Sequence, residues 1–234
     1  MKKIILTTII GLILLNCEKD KGYSIQGEAK GVYNGVRVYL KSMDFKNYKE
    51  KILDTAIIFD EKFNFKGSLE NPEYRLISVD NVTGNLALIL ENSPVKLSIN
   101  KNDIQKSEIS GSTSHLDYKA YETNLNELLV KRKDITSKYR SSLKSEDKKL
   151  MDSLKLLLDK NRETIILYPL DYINSNPDKF FSLLLIEQEI DKKRDIEKYK
   201  EAFENLNNEI KNSPRAQKLS IKINGLYKIN NLKK

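Results

Sequence analysis

Side-chain chemistry in this chain starts from few candidates. One cysteine, Cys17, and one histidine, His115, occur in 234 residues. A lone cysteine cannot close an intramolecular disulfide, make a CxxC redox pair or build a Cys-based zinc site. A Ser-His-Asp triad would need His115, which Ser114 and Asp117 flank in sequence. Triad members converge from separate segments, so near neighbours at a helix start do not form one. His115 reads as a surface or capping residue. The carboxylate pairs Asp60-Glu61, Glu146-Asp147 and Glu187 with Glu189 fall at expected turns or polar faces. Two acids that converge only in the fold are invisible in sequence, so a glycosidase-like hydrolase stays as an alternative. The nine glycines form neither GxGxxG nor a P-loop. Twelve tyrosines without a tryptophan suit a glycan or peptide groove, but their place on strands (Tyr39, Tyr74) and helix stripes (Tyr121, Tyr199) favours packing. No catalytic, metal-binding or cofactor-binding residue is assigned, no cofactor is expected, and the chain reads as a non-enzyme.

The first residues carry the clearest signal. Met1-Lys2-Lys3 precedes an apolar run from Ile4 to Leu15, and charge returns at Glu18 to Lys21. The run has the length of a signal-peptide core and falls short of the roughly 20 residues a spanning helix needs. Leu14-Leu15-Asn16-Cys17 resembles the lipobox of bacterial lipoproteins, with Asn16 where that family usually has a small residue. The resemblance implies cleavage between Asn16 and Cys17, lipid on the Cys17 thiol, and a place in the cell envelope. The outer membrane, on its periplasmic or surface face, is the expected location.

Charge then divides the remainder. Residues 17–114 hold 14 Lys+Arg and 14 Asp+Glu, whereas residues 115–234 hold 25 and 19. A net +6 half has the sign to touch anionic lipid or nucleic acid. Its cations alternate with acids, as in Lys192-Lys193-Arg194-Asp195-Ile196-Glu197-Lys198, which reads as a solvated helix face. An exported protein has little occasion to meet nucleic acid.

Two kinds of element must hold whatever site exists. From Gly22 to Gly111 short alternating runs are separated by turns. Val36, Val38 and Leu40 share a face after the turn signal Asn34-Gly35, and Phe63 and Phe65 share another. Seven or eight such strands predict an antiparallel sandwich or open barrel. From Ser112 the period becomes helical. Leu116, Tyr121, Leu125, Leu128 and Leu129 form one expected stripe, with Ser114 and Asp117 as a capping box. Leu150, Leu154, Leu157 and Leu158 form a second, and Pro169 is expected to kink or end that helix. Asn176-Pro177-Asp178 predicts a start for an all-apolar, buried helix through Phe180 to Ile186. Tyr199, Phe203, Leu206 and Ile210 make a clean stripe, and Ser213-Pro214 starts a last helix. The fold class is therefore α+β. Its segments are a leader over 1–16, a tether over 17–21, a β region over 22–112, helices over 113–228 and a loose tail over 229–234.

Several pieces in order carry a family resemblance: Leu53-Asp54-Thr55-Ala56, Phe63 to Gly67, Asn71-Pro72, Leu90-Glu91-Asn92 and Ile109 to Ser112. They resemble the N-terminal domain of unknown function, of the DUF4369 type, in lipoproteins of Bacteroidota. Asn176-Pro177 through Leu185 and Ser213 through Ile221 fit that family too. There the domain often precedes a thioredoxin-like domain of the thiol-disulfide oxidoreductase or peroxiredoxin-like type. The redox cysteines of that second domain match nothing here. What is expected is a lipid-anchored binding or interaction module, contacting a partner by a sheet edge or by the groove between strands and helices. An accessory role in trans with a separate thioredoxin-like protein is the alternative that the resemblance implies.

Overall fold

Period-two alternation up to Ser110 becomes eight strands, and the 3.6-residue period after it becomes six helices, among the residues that the computed structural model describes: 22–145, 147–192 and 195–232. Asn16, Cys17 and the expected leader lie outside the described residues. The strands are β1 (Tyr23–Glu28), β2 (Arg37–Asp44), β3 (Lys49–Ile57), β4 (Lys62–Gly67), β5 (Glu73–Val79), β6 (Leu86–Leu90), β7 (Pro94–Ser98) and β8 (Glu108–Ser110). The helices are α1 (Thr113–Ser145), α2 (Lys148–Ser175), α3 (Phe180–Asp191), α4 (Ile196–Glu204), α5 (Asn208–Lys211) and α6 (Pro214–Asn231).

Two four-stranded sheets, in the orders β4-β1-β7-β8 and β3-β2-β5-β6, form the sandwich. Every pairing is antiparallel except that of β1 with β7, which is parallel from Ser24↔Pro94 to Glu28↔Ser98. Alternation along a strand shows which face is apolar but not which way its neighbour runs. Ile25, Val38, Leu40, Phe63, Phe65, Ile77, Leu88 and Val95 fill the space between the sheets. Gly27 is required there, because the Phe63 ring occupies the space its Cβ would take.

Strand β6 belongs to two cores. Leu86, Leu88 and Leu90 point into the sandwich, whereas Ile89, on the other face, joins a second core made by the helices. Ala87 and Tyr74 pack against that second core from the same outer face. The sheet is thus covered on both sides here, which explains the uninterrupted apolar run of β6. Complete burial of a side chain such as Ile89 contributes about 2 kcal/mol, enough to dock the helices firmly on the sheet.

The helices follow the sequence in part. The α3 residues Phe181 to Ile186 are buried, as are Tyr199, Phe203, Leu206 and Ile210. That last stripe spans α4 and α5, with a break between Glu204 and Asn208. Ser213 caps α6 through its hydroxyl, which accepts from the Ala216 N–H, with Pro214 in the first turn.

Other expectations are corrected. Pro169 does not end its helix: α2 continues through it to Ser175, since Tyr168, Leu170 and Ile173 pack into the helical core and hold the backbone past the missing N–H. Asn176-Pro177-Asp178 does not begin α3. It forms the turn after α2, where Asn176 donates to the Tyr172 carbonyl and accepts from Ser182, and α3 starts at Phe180. The α1 stripe also turns differently. Leu116 is 61% exposed while Tyr118 and Tyr121 are buried. At about 100° per residue Leu116 and Tyr121 stand roughly 140° apart, so one surface cannot cover both. In α2, Leu154 is buried but Leu150 and Leu157 remain exposed. Helix α6 runs to Asn231, beyond the expected start of the loose tail, because its hydrogen-bond ladder persists after its apolar face ends.

Candidate functional site

Where the outer face of the β2-β5-β6 sheet meets α1, α3 and α6, a groove of about 450 Å³ opens. Its aromatic floor comes from three elements. Tyr74 of β5, Tyr118 and Tyr121 of α1 and Phe181 of α3 meet edge to face, with centroids 5.4–5.9 Å apart along the chain Tyr74, Tyr118, Phe181, Tyr121. Phe45, just after β2, packs edge-on against Tyr74 at 4.9 Å. These spacings and tilts are those that the aromatic quadrupole favours. Ile89, Leu125 and Leu184 complete the apolar wall.

Charge rings the floor. Arg215 of α6 donates through Nε (2.8 Å) and Nη2 (2.6 Å) to Glu187 of α3, and its Nη1 lies 3.9 Å from Glu73 of β5. Glu73 also pairs with Arg75. Asp191 pairs with Lys222 at 2.5 Å. Five carboxylates (Asp44, Glu73, Glu122, Glu187 and Asp191) line the groove against three cations (Arg75, Lys192 and Arg215). Glu122 differs from most of the others. It accepts a hydrogen bond from the Tyr118 hydroxyl and has no cation partner among the described residues. Burial, reinforced by neighbouring Tyr74 and Glu122, pushes the Tyr118 hydroxyl far above its ordinary value, so it stays a donor. Burial raises Tyr74 and Tyr121 likewise.

A carboxyl pair that cleaves a glycoside needs one member protonated and the other free to act. Glu73 and Glu187 instead share the guanidinium of Arg215. Among the described residues no group of three or more His, Cys, Asp or Glu is placed to hold a metal ion, and no helix is long and apolar enough to cross a membrane.

The residues singled out by sequence fall elsewhere or change role. His115 is not on the surface: it is only 6% exposed, and its Nδ1 finds no hydrogen-bond partner among the described residues. Burial, with help from the Lys119 charge, pushes the imidazole down to about 4. The α1 cap is Ser112 instead of Ser114. The Ser112 hydroxyl accepts from the His115 N–H at 3.1 Å and donates to the Ile89 carbonyl at 2.8 Å. Ser114 donates to Glu91, whose carboxylate also accepts from the Thr113 and Ser114 N–H groups. An acid thus sits against the positive end of α1.

Asp60 and Glu61 occupy a turn, both at positive φ. Asp147 caps α2, and Glu146 lies outside the described residues. Glu189 is not on a polar face but buried, with Lys192 at 2.7 Å, while Glu187 lines the groove. Tyr39 is half-buried and its hydroxyl donates to Asp80, and Tyr199 is buried in the helical core. Tyr74, Tyr118 and Tyr121 both pack and form the groove floor, so the two roles weighed for the tyrosines coincide.

Sequence reading named Tyr74, Tyr121, Leu125 and Glu187 and expected a groove between strands and helices, but it did not join them with Tyr118, Glu122, Phe181 and Arg215, because these come from β5, α1, α3 and α6, far apart in the chain. The one available signal was Phe180-Phe181 at the head of an apolar helix, which marks a helix packed on several sides without naming its neighbours.

Searched against curated proteins, the chain finds no match. A comparison with protein families matches residues 23–118 to a domain of unknown function, DUF4369. The match covers all eight strands and the first turns of α1 as far as Tyr118 on the groove floor. Residues 23–118 thus match the expected DUF4369 domain, and the pieces from Asn176 to Leu185 and from Ser213 to Ile221 lie outside the match.

Proposed function

We propose that the protein is a lipid-anchored cell-envelope module that binds a ligand without transforming it, in the groove between the sandwich and the helices. The observation that carries this reading is the aromatic floor under a rim with more acids than bases. The half-buried rings of Phe45 and Tyr74, backed by the buried Tyr118, Tyr121 and Phe181, favour an apolar body. Glu122, without a cation of its own among the described residues, together with the half-buried ring of Tyr74, favours a cationic group on that body. An amine or guanidinium on a peptide side chain has this chemistry. Lipid on Cys17, after removal of residues 1–16, supports the envelope location, with the outer membrane as the preferred site.

The test is titration of the chain from Gly22 onward, which holds both hydrophobic cores, with the peptides Leu-Lys-Leu and Leu-Glu-Leu. The lysine peptide binds and its glutamate counterpart does not. Glu122→Gln weakens the lysine peptide by about tenfold, the worth of one charge-assisted hydrogen bond. Equal binding of the two peptides, or none of either, removes the reading.

A further inference from the structure

Helices α1 and α2 are much longer than their work in the core requires. At about 1.5 Å per residue α1 extends for roughly 50 Å. Yet its members of the helical core end at Tyr118, Tyr121 and Leu125. Ile135 and Leu154 are buried, but they belong to neither core cluster. Beyond Leu125 the two helices therefore pack essentially on each other, as a hairpin that the fold does not use.

This hairpin concentrates charge. From Leu128 to Glu163 stand eleven Lys+Arg and six Asp+Glu, a net +5. Interleaved acids ought to neutralise these cations if the hairpin were only a solvated pair of helices. Among the described residues they do so once: Lys138 pairs with Asp134 at 2.7 Å. The remaining cations of the hairpin have no ion-pair partner among the described residues.

Four of the six cations on the α1 arm, Arg132, Lys133, Arg140 and Lys144, also share one face. At about 100° per residue, Leu129, Arg132, Lys133, Thr136, Arg140, Leu143 and Lys144 fall within roughly 120° of one another on α1. Asp134 lies outside that arc. Leu129, Arg132, Lys133, Thr136 and Arg140 line one shallow depression. Leu129 and Leu143 are exposed on the same face. Exposed leucines beside unpaired lysines and arginines are the pattern of a helix lying at a lipid–water interface.

We infer that the α1–α2 hairpin is a membrane-surface contact: the face holding Arg132, Lys133 and Arg140 rests on anionic phospholipid headgroups, and Leu129 and Leu143 reach the acyl boundary. Two observations favour lipid over an acidic macromolecule. The first is the pair of leucines among the cations. The second is reach. With lipid on Cys17, the five residues to Gly22 span at most about 17 Å, so the fold starts within that distance of a bilayer. Gly22 leads into β1, where the Ser24 N–H donates to the Ser93 carbonyl, and Ser93 Oγ donates to the carbonyl of Gly111 just before α1. The tether and the root of the hairpin thus leave the sandwich together. A hairpin rooted beside the anchor gives a second point of attachment, of the kind that turns weak single-point binding into stable binding.

The experiment uses the chain from Gly22 onward, so that no lipid anchor contributes. Sedimentation with phosphatidylcholine vesicles is compared with sedimentation on vesicles containing about 30% phosphatidylglycerol. The protein partitions onto the anionic vesicles and is released by salt. The triple change Arg132→Gln, Lys133→Gln and Arg140→Gln lowers partition by about a hundredfold, each cation being worth about fivefold at an anionic surface. Neutralising Lys49, Lys66 and Lys96 on the sandwich makes the same charge change and costs far less. All six positions are exposed, and circular dichroism confirms that the fold survives. Absence of binding to anionic vesicles overturns the inference, as does equal loss in the two triple variants. Binding to heparin or polyglutamate without binding to vesicles assigns the face to an acidic macromolecule and overturns it too.

Discussion

His115 has the most unusual environment of any single residue in the described fold. Its ring is enclosed near Tyr118, its Nδ1 is unpartnered, and its imidazole is held down to about 4. The sign of the consequence is definite. The unfolded chain protonates its histidine near 6.5, while the folded chain resists until about 4. Stability contributed by neutral His115 is complete above the unfolded value and is lost as pH falls through this window. Urea unfolding at pH 7.5 and pH 5 is expected to differ by about 2 kcal/mol more in the native protein than in His115→Phe. An identical difference in the two proteins removes the assignment. Single-residue chemistry was the least legible part of the sequence. His115 sits three residues after a true capping residue, Ser112, and nothing in the local pattern shows that it will be buried beside Tyr118. For the same reason Glu122 and Arg215 gave no signal, and Glu187 was paired with Glu189 instead: each is one more charge on a helix until three helices and a strand bring them to one rim.

At the scale of elements, the contrast between Ser112 and Leu116 shows what local pattern can and cannot fix. Ser112 closes the first turn of α1 and ties it to β6 through the Ile89 carbonyl, so it joins helix to sheet with one hydroxyl. Ser112→Ala is expected to cost about 2 kcal/mol, from the lost cap and the carbonyl left without its donor. Leu116→Asn, at the position that heads the apolar stripe in sequence, is expected to stay within about 0.5 kcal/mol. Denaturant midpoints of the two variants check both figures, and a reversed order contradicts the placement of α1. Strands were the most legible elements. Phe63 and Phe65, Val38 and Leu40, and the run Leu86 to Leu90 each show their burial in the alternation itself. The parallel pairing of β1 with β7 did not show, because register and direction depend on which strands meet. Helix ends were misread where a polar triplet such as Asn176-Pro177-Asp178 serves as a turn instead of a cap.

On the scale of the whole molecule, a two-sheet sandwich and a helical layer share β6, and the groove lies along their seam. Composition and period were enough to read an α+β chain with strands first, since each half has its own periodicity. The seam was not readable, because it depends on which face of each element the other half covers. Anchoring belongs to this scale as well. Cys17→Ser is expected to release the protein from membranes washed with high salt, which also frees the hairpin contact, while leaving it folded, as measured by fractionation and circular dichroism. Retention of the variant in membranes would count against lipid on Cys17. The central claim, binding in the groove, has a direct readout because the chain contains no tryptophan. Leu125→Trp places a single reporter on the groove wall. Its fluorescence is expected to shift to the blue as Leu-Lys-Leu is added, to remain unchanged with Leu-Glu-Leu, and to need about tenfold more peptide when Glu122→Gln is combined with it. An emission spectrum that no peptide alters, or that both alter equally, contradicts the claim.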